Sequence, residues 1–324
     1  MIDKHLIEKP VAELFNLFQR EFSQSLQSEI RTIRSAIEKI HLSNGKQIRP
    51  LLLLLTAEAC GQATSLSVEF AVLLEMLHTV SIIHDDVIDD TKQRRGVPSL
   101  NAIYDNRVAV LVGDFILSDT LARATKTGEN HIVTIIATLC REMVEGEIKQ
   151  LENSEEIVLS EKDYMYTLEK KTAALLAACT EIGAITAGAD HDLQVKCKQF
   201  GWLLGCSFQI KDDIFDYFDN PIIGKPNGND IREGKITLPL LYALESTPGN
   251  EKAGYLDILK NGWLTPENIA LLVAFAKNKG GIEYAESRMM EYKRKAVEII
   301  ETLPSSEAKN SLILFADYLV NRVK

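Results

Sequence analysis

The sequence predicts an all-α protein, one helical unit spanning residues 1–324, on three observations. Apolar residues recur at three- and four-residue intervals through most of the chain. Residues that start and stop helices bracket those stretches, and nothing reads as a strand ladder, a linker or a repeat apart from two short acidic clusters. With 324 residues, 46% of them hydrophobic, the chain has ample material for a large core.

The elements follow in order. Ala12-Leu14-Phe15-Phe18 and Phe22-Leu26-Ile30-Ile33-Ile37-Ile40 carry the helical interval. Asn44-Gly45 breaks it, Pro50 suits the first turn of the next helix, and Gly61 stops that helix after Cys60. A helix from about Ser67 to Asp90 comes next, then a connector over Ser99–Asp105 and long helices over Val108–Ala124 and His131–Leu151. Ser160-x-x-Asp163 resembles a capping box opening a helix over Lys162–Ala187, whose Ala173-Ala174, Ala177-Ala178 and Gly183-Ala184 predict close helix–helix approach. Pro221, Gly224, Pro226, Gly228 and Gly234 forbid a regular helix over Asp219–Pro239, and the interleaved Lys225, Asp230, Arg232 and Lys235 make that loop a functional candidate. Thr265-Pro266 starts the amphipathic helices of the C-terminal part.

Charge and cysteine usage exclude several classes. Net charge is −10, from 36 basic and 46 acidic residues, and no basic stripe stands out, so nucleic acid is not an expected partner. Met1-Ile2-Asp3-Lys4-His5 lacks an apolar signal core, and the run Leu51–Leu55 is too short to span a bilayer, so no stable membrane insertion is expected. The five cysteines, an odd number without a Cys-x-x-Cys pair, predict buried thiols in a reducing cytoplasm.

The chemistry is carried by the acidic clusters. Asp85-Asp86-Val87-Ile88-Asp89 and Asp212-Asp213-Ile214-Phe215-Asp216 share one spacing, and each follows an apolar helical stretch. On a helix Asp85 stacks near Asp89 and Asp212 near Asp216, so the carboxylates repel unless a cation offsets them. An all-oxygen ligand set points to a hard divalent ion, and magnesium keeps waters and shares its shell with substrate phosphates. Two such clusters facing one cleft would hold a diphosphate through several magnesium ions. Cations suited to that anion stand nearby: Arg94 and Arg95 after the first cluster, Lys46 and Arg49 near a helix start, and Lys171-Thr172 within the small-residue helix.

Gly45-Lys46-x-x-Arg49-Pro50, Leu77-His78-Thr79 through His84-Asp85-Asp86-x-x-Asp89, Arg94-Arg95-Gly96, Lys171-Thr172-Ala173, Phe208-Gln209-x-x-Asp212-Asp213-x-x-Asp216 and Gly234-Lys235-x-Thr237-Leu238-Pro239 together resemble, in order, the trans-type isoprenyl diphosphate synthases. The resemblance implies a bundle of long antiparallel helices around a deep central cavity, of the isoprenoid synthase type and usually dimeric. It implies head-to-tail condensation of isopentenyl diphosphate with an allylic diphosphate, by ionisation assisted by Mg2+, three ions per site when diphosphate is bound. Asp85, Asp89 and Asp212 would be the principal metal ligands, with Asp86, Asp213 and Asp216 acting directly or through water. Arg94, Lys171, Thr172, Gln209, Lys225 and Lys235 would hold the allylic diphosphate, and Lys46, Arg49, His78 and Arg95 the isopentenyl diphosphate. Phe208 reads as a core aromatic.

Product length would be set on the helix preceding Asp85, where one turn advances about 5.4 Å, close to one isoprene unit. Ser81 and Val80 stand where short-chain members carry bulky aromatics, and Leu77, Leu74 and Phe70 lie deeper. A product longer than geranylgeranyl is therefore expected, as in octaprenyl diphosphate synthases, with a geranylgeranyl or farnesyl product as the alternative. Glu38-x-x-His41 and Glu75-x-x-His78 fit a di-iron bundle, but that reading leaves both aspartate clusters unexplained. A terpene cyclase would not need Lys46, Arg49 and Arg95, and a non-catalytic synthase subunit would typically have lost the aspartates.

Overall fold

The computed structural model describes residues 3–42, 45–94, 96–157, 159–218 and 227–321, nearly all of them helical. The helices are α1 (Lys4–Glu8), α2 (Ala12–Gln24), α3 (Arg31–Leu42), α4 (Ile48–Cys60), α5 (Ser65–Ile88), α6 (Leu100–Ile103), α7 (Asn106–Lys126), α8 (Asn130–Glu156) and α9 (Glu161–Leu168). A π-helical turn over Glu169–Ala173 leads into α10 (Ala174–Thr186) and α11 (His191–Phe215). The chain ends with α12 (Asn229–Arg232), α13 (Leu238–Ser246), α14 (Gly249–Lys260), α15 (Pro266–Asn278), α16 (Gly281–Glu301) and α17 (Glu307–Asn321). The expected all-α architecture is present, and the chain is a bundle of long helices around a deep cavity.

The two helices that matter most start with side-chain caps. Thr64 and Ser67 form a reciprocal capping box at α5, and the Asp190 carboxylate accepts from Leu193 N at 2.9 Å to start α11. Ser160 accepts from Asp163 N at 3.2 Å and opens α9, where the spacing placed a helix start. Both α5 and α11 run out at the third aspartate of their clusters, Asp89 and Asp216. A helix C-terminus carries partial negative charge, so carboxylates clustered there need cations all the more.

Small residues bring the central helices together. A Cβ on Gly183 of α10 would lie 2.6 Å from Leu53 O of α4, and one on Gly201 of α11 would lie 2.4 Å from Leu176 O of α10. Leu51–Leu55 of α4 are no more than 1% exposed, which explains why their apolar run has no polar face. Helix α5 is long and apolar enough to cross a membrane by composition, yet 67% of its most apolar window is buried within the protein, as befits a central core helix.

Two local elements lie inside segments read as connector or loop, and a third lies in the stretch after Asp90, to which the sequence pattern assigns no element. Gln93–Arg94 pairs antiparallel with Val97–Pro98, turned by Gly96 at φ 78°, and α6 and α12 are single turns. Strands of two residues and helices of four are too short for periodicity to register.

Candidate active site

A cavity of about 940 Å³ opens among the ends of α4, α5, α8, α11, α17 and the π turn. Asp85 from α5 and Asp212 from α11 both line it, so the two acidic clusters converge on one space. Lys46 and Arg49 stand on one part of the wall, and Arg94, Lys171, Thr172 and Gln209 on others.

The aspartates of the first cluster face different partners. Asp85 is pushed up to about 6, chiefly by burial; Lys171 and Arg94 pull the other way, while Glu147 and Asp89 add to the rise. Asp86 is only 5% exposed and takes the Arg94 guanidinium on one oxygen, with Nη2 at 2.7 Å and Nε at 2.9 Å. Asp89 accepts from the Lys235 ammonium at 3.2 Å on both oxygens, and Glu233 holds that ammonium from the other side at 2.7 Å. Burial opposes the Lys235 charge, but Glu233 and Asp89 outweigh it and keep the amine protonated beyond the usual lysine range.

Members of the second cluster are used differently again. Asp213, 4% exposed, accepts from Tyr164 Oη at 2.6 Å and from Gln209 Nε2 at 2.8 Å; burial nonetheless pushes it up to about 7. The Asp216 carboxylate accepts from the backbone N–H groups of Asn229 and Asp230, each at 3.0 Å, and so caps α12. Asp230 is itself raised well above the carboxylate range by burial and by Asp216 and Asp213.

Lys171 and Thr172 sit on the π turn. Such a turn accommodates one extra residue, recurs at functional sites and re-aims the side chains it carries. Two glycines make room for it: a Cβ on Gly146 of α8 would meet Lys171 N at 2.9 Å, and one on Gly205 of α11 would meet Ala173 Cα at 2.5 Å. Lys171 pairs with Glu147 and reaches Gln150 Oε1 at 3.4 Å; Thr172 donates to Gln209 Oε1 at 2.8 Å.

Lys46, Arg49 and His78 all line the cavity, and Arg49 Nη1 lies 2.8 Å from His78 Nε2. Gln47 between the two cations takes a left-handed backbone, φ 50°, and its side-chain oxygen accepts from Gln19 Nε2 at 3.1 Å. Arg95 and Lys225 lie outside the described residues. Of the length candidates, Ser81 lines the cavity; Val80, Leu77, Leu74 and Phe70 are buried in the main core cluster and are not part of that wall. Phe208 belongs both to the core and to the wall.

Sequence reasoning passed over Glu147, Tyr164 and Glu233. Glu147 follows Gly146 within the predicted His131–Leu151 helix, an acid beside a packing glycine, and that was the available signal. Tyr164 carried none beyond its place one residue after the Ser160-x-x-Asp163 cap.

No three acidic, histidine or cysteine side chains among the described residues form a closed metal cage. The donors present are nonetheless of the right kind. Two carboxylates from different helices face one cavity with lysine and arginine around it, the partial shell that magnesium completes with water and phosphate oxygens.

An all-helical chain that sets carboxylates from two helix ends against lysines and arginines around one deep cavity defines a class, the helical enzymes that handle diphosphates. Residues 30–273 match the polyprenyl synthetase family model. The chain is 37% identical over 279 residues to an octaprenyl diphosphate synthase of Haemophilus influenzae, covering 86% of this chain and 84% of that one. Its structure superposes on a decaprenyl diphosphate synthase of Rhodobacter capsulatus with a TM-score of 0.92, at 31% identity and 98% coverage of both chains. It superposes on a geranylgeranyl pyrophosphate synthase of Bacteroides thetaiotaomicron with a TM-score of 0.85, at 37% identity and 98% and 99% coverage. The chain belongs to the polyprenyl synthetase family and is an isoprenyl diphosphate synthase, a prenyltransferase.

Proposed function

We propose that the enzyme condenses isopentenyl diphosphate head-to-tail with an allylic diphosphate and extends the product beyond geranylgeranyl. The observation that carries the mechanism is the meeting of Asp85 and Asp212 on one cavity wall with Arg94 and Lys171. Asp85, Asp89 and Asp212 would hold magnesium, which when bound would supply charge neutralisation to the departing pyrophosphate. Arg94, Lys171 and Lys235 place further positive charge where negative charge develops as the allylic carbon–oxygen bond breaks. In the resting enzyme Arg94 and Lys235 are held by Asp86 and Asp89, so binding a diphosphate exchanges one anion for another around each cation. Lys46, Arg49 and His78 hold the second diphosphate so that its double bond meets the cation. Thr172 and Gln209 offer neutral oxygens near that charge, and the released pyrophosphate takes the proton lost in the final step.

The longer product is supported by Ser81, a small residue on the wall of a cavity of about 940 Å³, and by similarity to octaprenyl and decaprenyl synthases. The 37% identity to a geranylgeranyl pyrophosphate synthase favours the shorter alternative and makes product sizing the deciding experiment. Labelled isopentenyl diphosphate supplied with magnesium and separate allylic starters should give polyprenyl products longer than C20. Products ending at C20 or below would refute the length assignment, and no incorporation with any starter would refute the reaction. Ser81→Phe should shorten the product distribution by at least one isoprene unit, read by chromatography, because an aromatic there fills one helical turn of the wall.

We further propose a homodimer in the cytoplasm. Val110 and Leu111 on α7, 38% and 67% exposed, are apolar side chains that a second copy would cover. All five cysteines are thiols, the form a reducing compartment maintains.

A further inference from the structure

We propose that Tyr164 is a positioning residue for the condensation, acting through Asp213 on the Gln209–Thr172 pair and on Asp212. The proposal rests on the allylic side of the cavity being where the reading above places it. Asp212 and Asp213 are neighbours on α11 and therefore point about 100° apart, one into the cavity and the other into the protein. A carboxylate as buried as Asp213 must have its oxygens satisfied, and each has a donor: Tyr164 Oη on Oδ2 at 2.6 Å and Gln209 Nε2 on Oδ1 at 2.8 Å.

The second bond fixes which way the Gln209 amide faces. With its nitrogen committed to Asp213, its oxygen accepts from Thr172 Oγ1 at 2.8 Å. The hydrogen bonds form one line, Tyr164 to Asp213 from one end and Thr172 through Gln209 to Asp213 from the other, and Thr172 and Gln209 both open onto the cavity. The line also joins two elements. Tyr164 lies on α9, which runs directly into the π turn carrying Lys171 and Thr172, whereas Asp213 and Gln209 belong to α11 with Asp212. Tyr164 thus sets the register between Lys171 on the π turn and Asp212 on α11, both of which line the main cavity. Tyr164 does not line the main cavity; it lines an adjoining chamber of about 180 Å³ that shares Lys171, Thr172 and Gln209 with it and reaches Lys235.

The test is Tyr164→Phe, which keeps the ring and deletes the donor. We expect kcat to fall about tenfold and the affinity for magnesium pyrophosphate, measured by calorimetry, to weaken by a factor of about five. The KM for isopentenyl diphosphate should stay within about twofold, since Lys46, Arg49 and His78 lie off this line. Circular dichroism and Tm should stay close to wild type. In an Asp213→Asn background, where the charge to be oriented is gone, adding Tyr164→Phe should cost less than about twofold. A kcat within about twofold of wild type, an equal loss in both backgrounds, or a loss tracking unfolding would each overturn the proposal. Incorporation by the wild-type enzyme is the separate control on the reaction itself; Tyr164 is judged on variant-to-wild-type ratios and on pyrophosphate binding.

Discussion

The two aspartate clusters share one spacing and sit at the ends of two core helices, yet the protein employs them differently. On α5, Asp86 and Asp89 are matched by side-chain cations, Arg94 and Lys235, which on the proposed mechanism an incoming diphosphate would draw away. On α11, Asp213 and Asp216 take neutral donors: a phenol and an amide on Asp213 and two backbone N–H groups on Asp216. Only the leading residue of each cluster, Asp85 or Asp212, lines the main cavity. Identical spacing thus carries different partners in the two clusters, which on the proposed mechanism makes the first responsive and the second fixed.

That contrast can be broken most severely at its responsive end. Asp85→Ala should lower kcat on the order of 10³-fold with little loss of fold, because it deletes a principal metal ligand at the leaving group. A loss under about tenfold in steady-state incorporation would mean that the clusters do not work as described.

At the fixed end the expected effect is smaller and of another kind. Asp216→Ala removes the cap of α12, costing roughly 1 kcal/mol. Because Lys235 N donates to Asp230 O at 2.8 Å, the same change should disturb Lys235 and reduce kcat about tenfold. Urea unfolding and kinetics on one preparation check both parts. If Asp216→Ala matched Asp85→Ala in kcat while leaving stability untouched, Asp216 would be a direct metal ligand and the contrast would fail.

How much of this was legible beforehand differs between the clusters in the same way. Apolar periodicity and the caps at Ser160 and Thr265 marked the long helices, and the four-residue interval marked both aspartate sets as stacked carboxylates. Nothing local distinguished Asp213 from Asp86. For Asp213 the distinction arises from Tyr164, 49 positions away, and for Asp216 from the backbone of Asn229 and Asp230, 13 and 14 positions further on. The π turn was equally hidden: Lys171-Thr172 falls in an ordinary helical pattern, and the turn depends on the flat surfaces offered by Gly146 and Gly205 on other helices. Val80, Leu77, Leu74 and Phe70 share one helix with Ser81, but packing against the core, invisible to spacing, separates them from the cavity wall.

The smallest effect concerns stability and pH. Asp85 is raised to about 6 in the folded protein, above the unfolded carboxylate value of about 3.9. The folded state thus holds this proton more tightly. The stability it contributes is fully present below about pH 4 and is lost as pH rises through about 6. Asp85→Asn, which mimics the protonated form, should therefore stabilise the metal-free protein at pH 8 by about 1–2 kcal/mol, discounted because the carboxylate reaches the cavity, and by almost nothing at pH 4. Thermal unfolding at both pH values measures it. Equal shifts at the two values would remove the charge explanation and weaken the view of Asp85 as a carboxylate awaiting a cation.

The central claim, that both clusters serve one diphosphate, is tested most directly by crystals soaked with Mn2+ in place of magnesium together with inorganic pyrophosphate. Anomalous density should appear inside the cavity between Asp85 and Asp212, bridged by pyrophosphate oxygens to the two helices. Manganese bound to one cluster alone, or pyrophosphate seated away from that cavity, would contradict it.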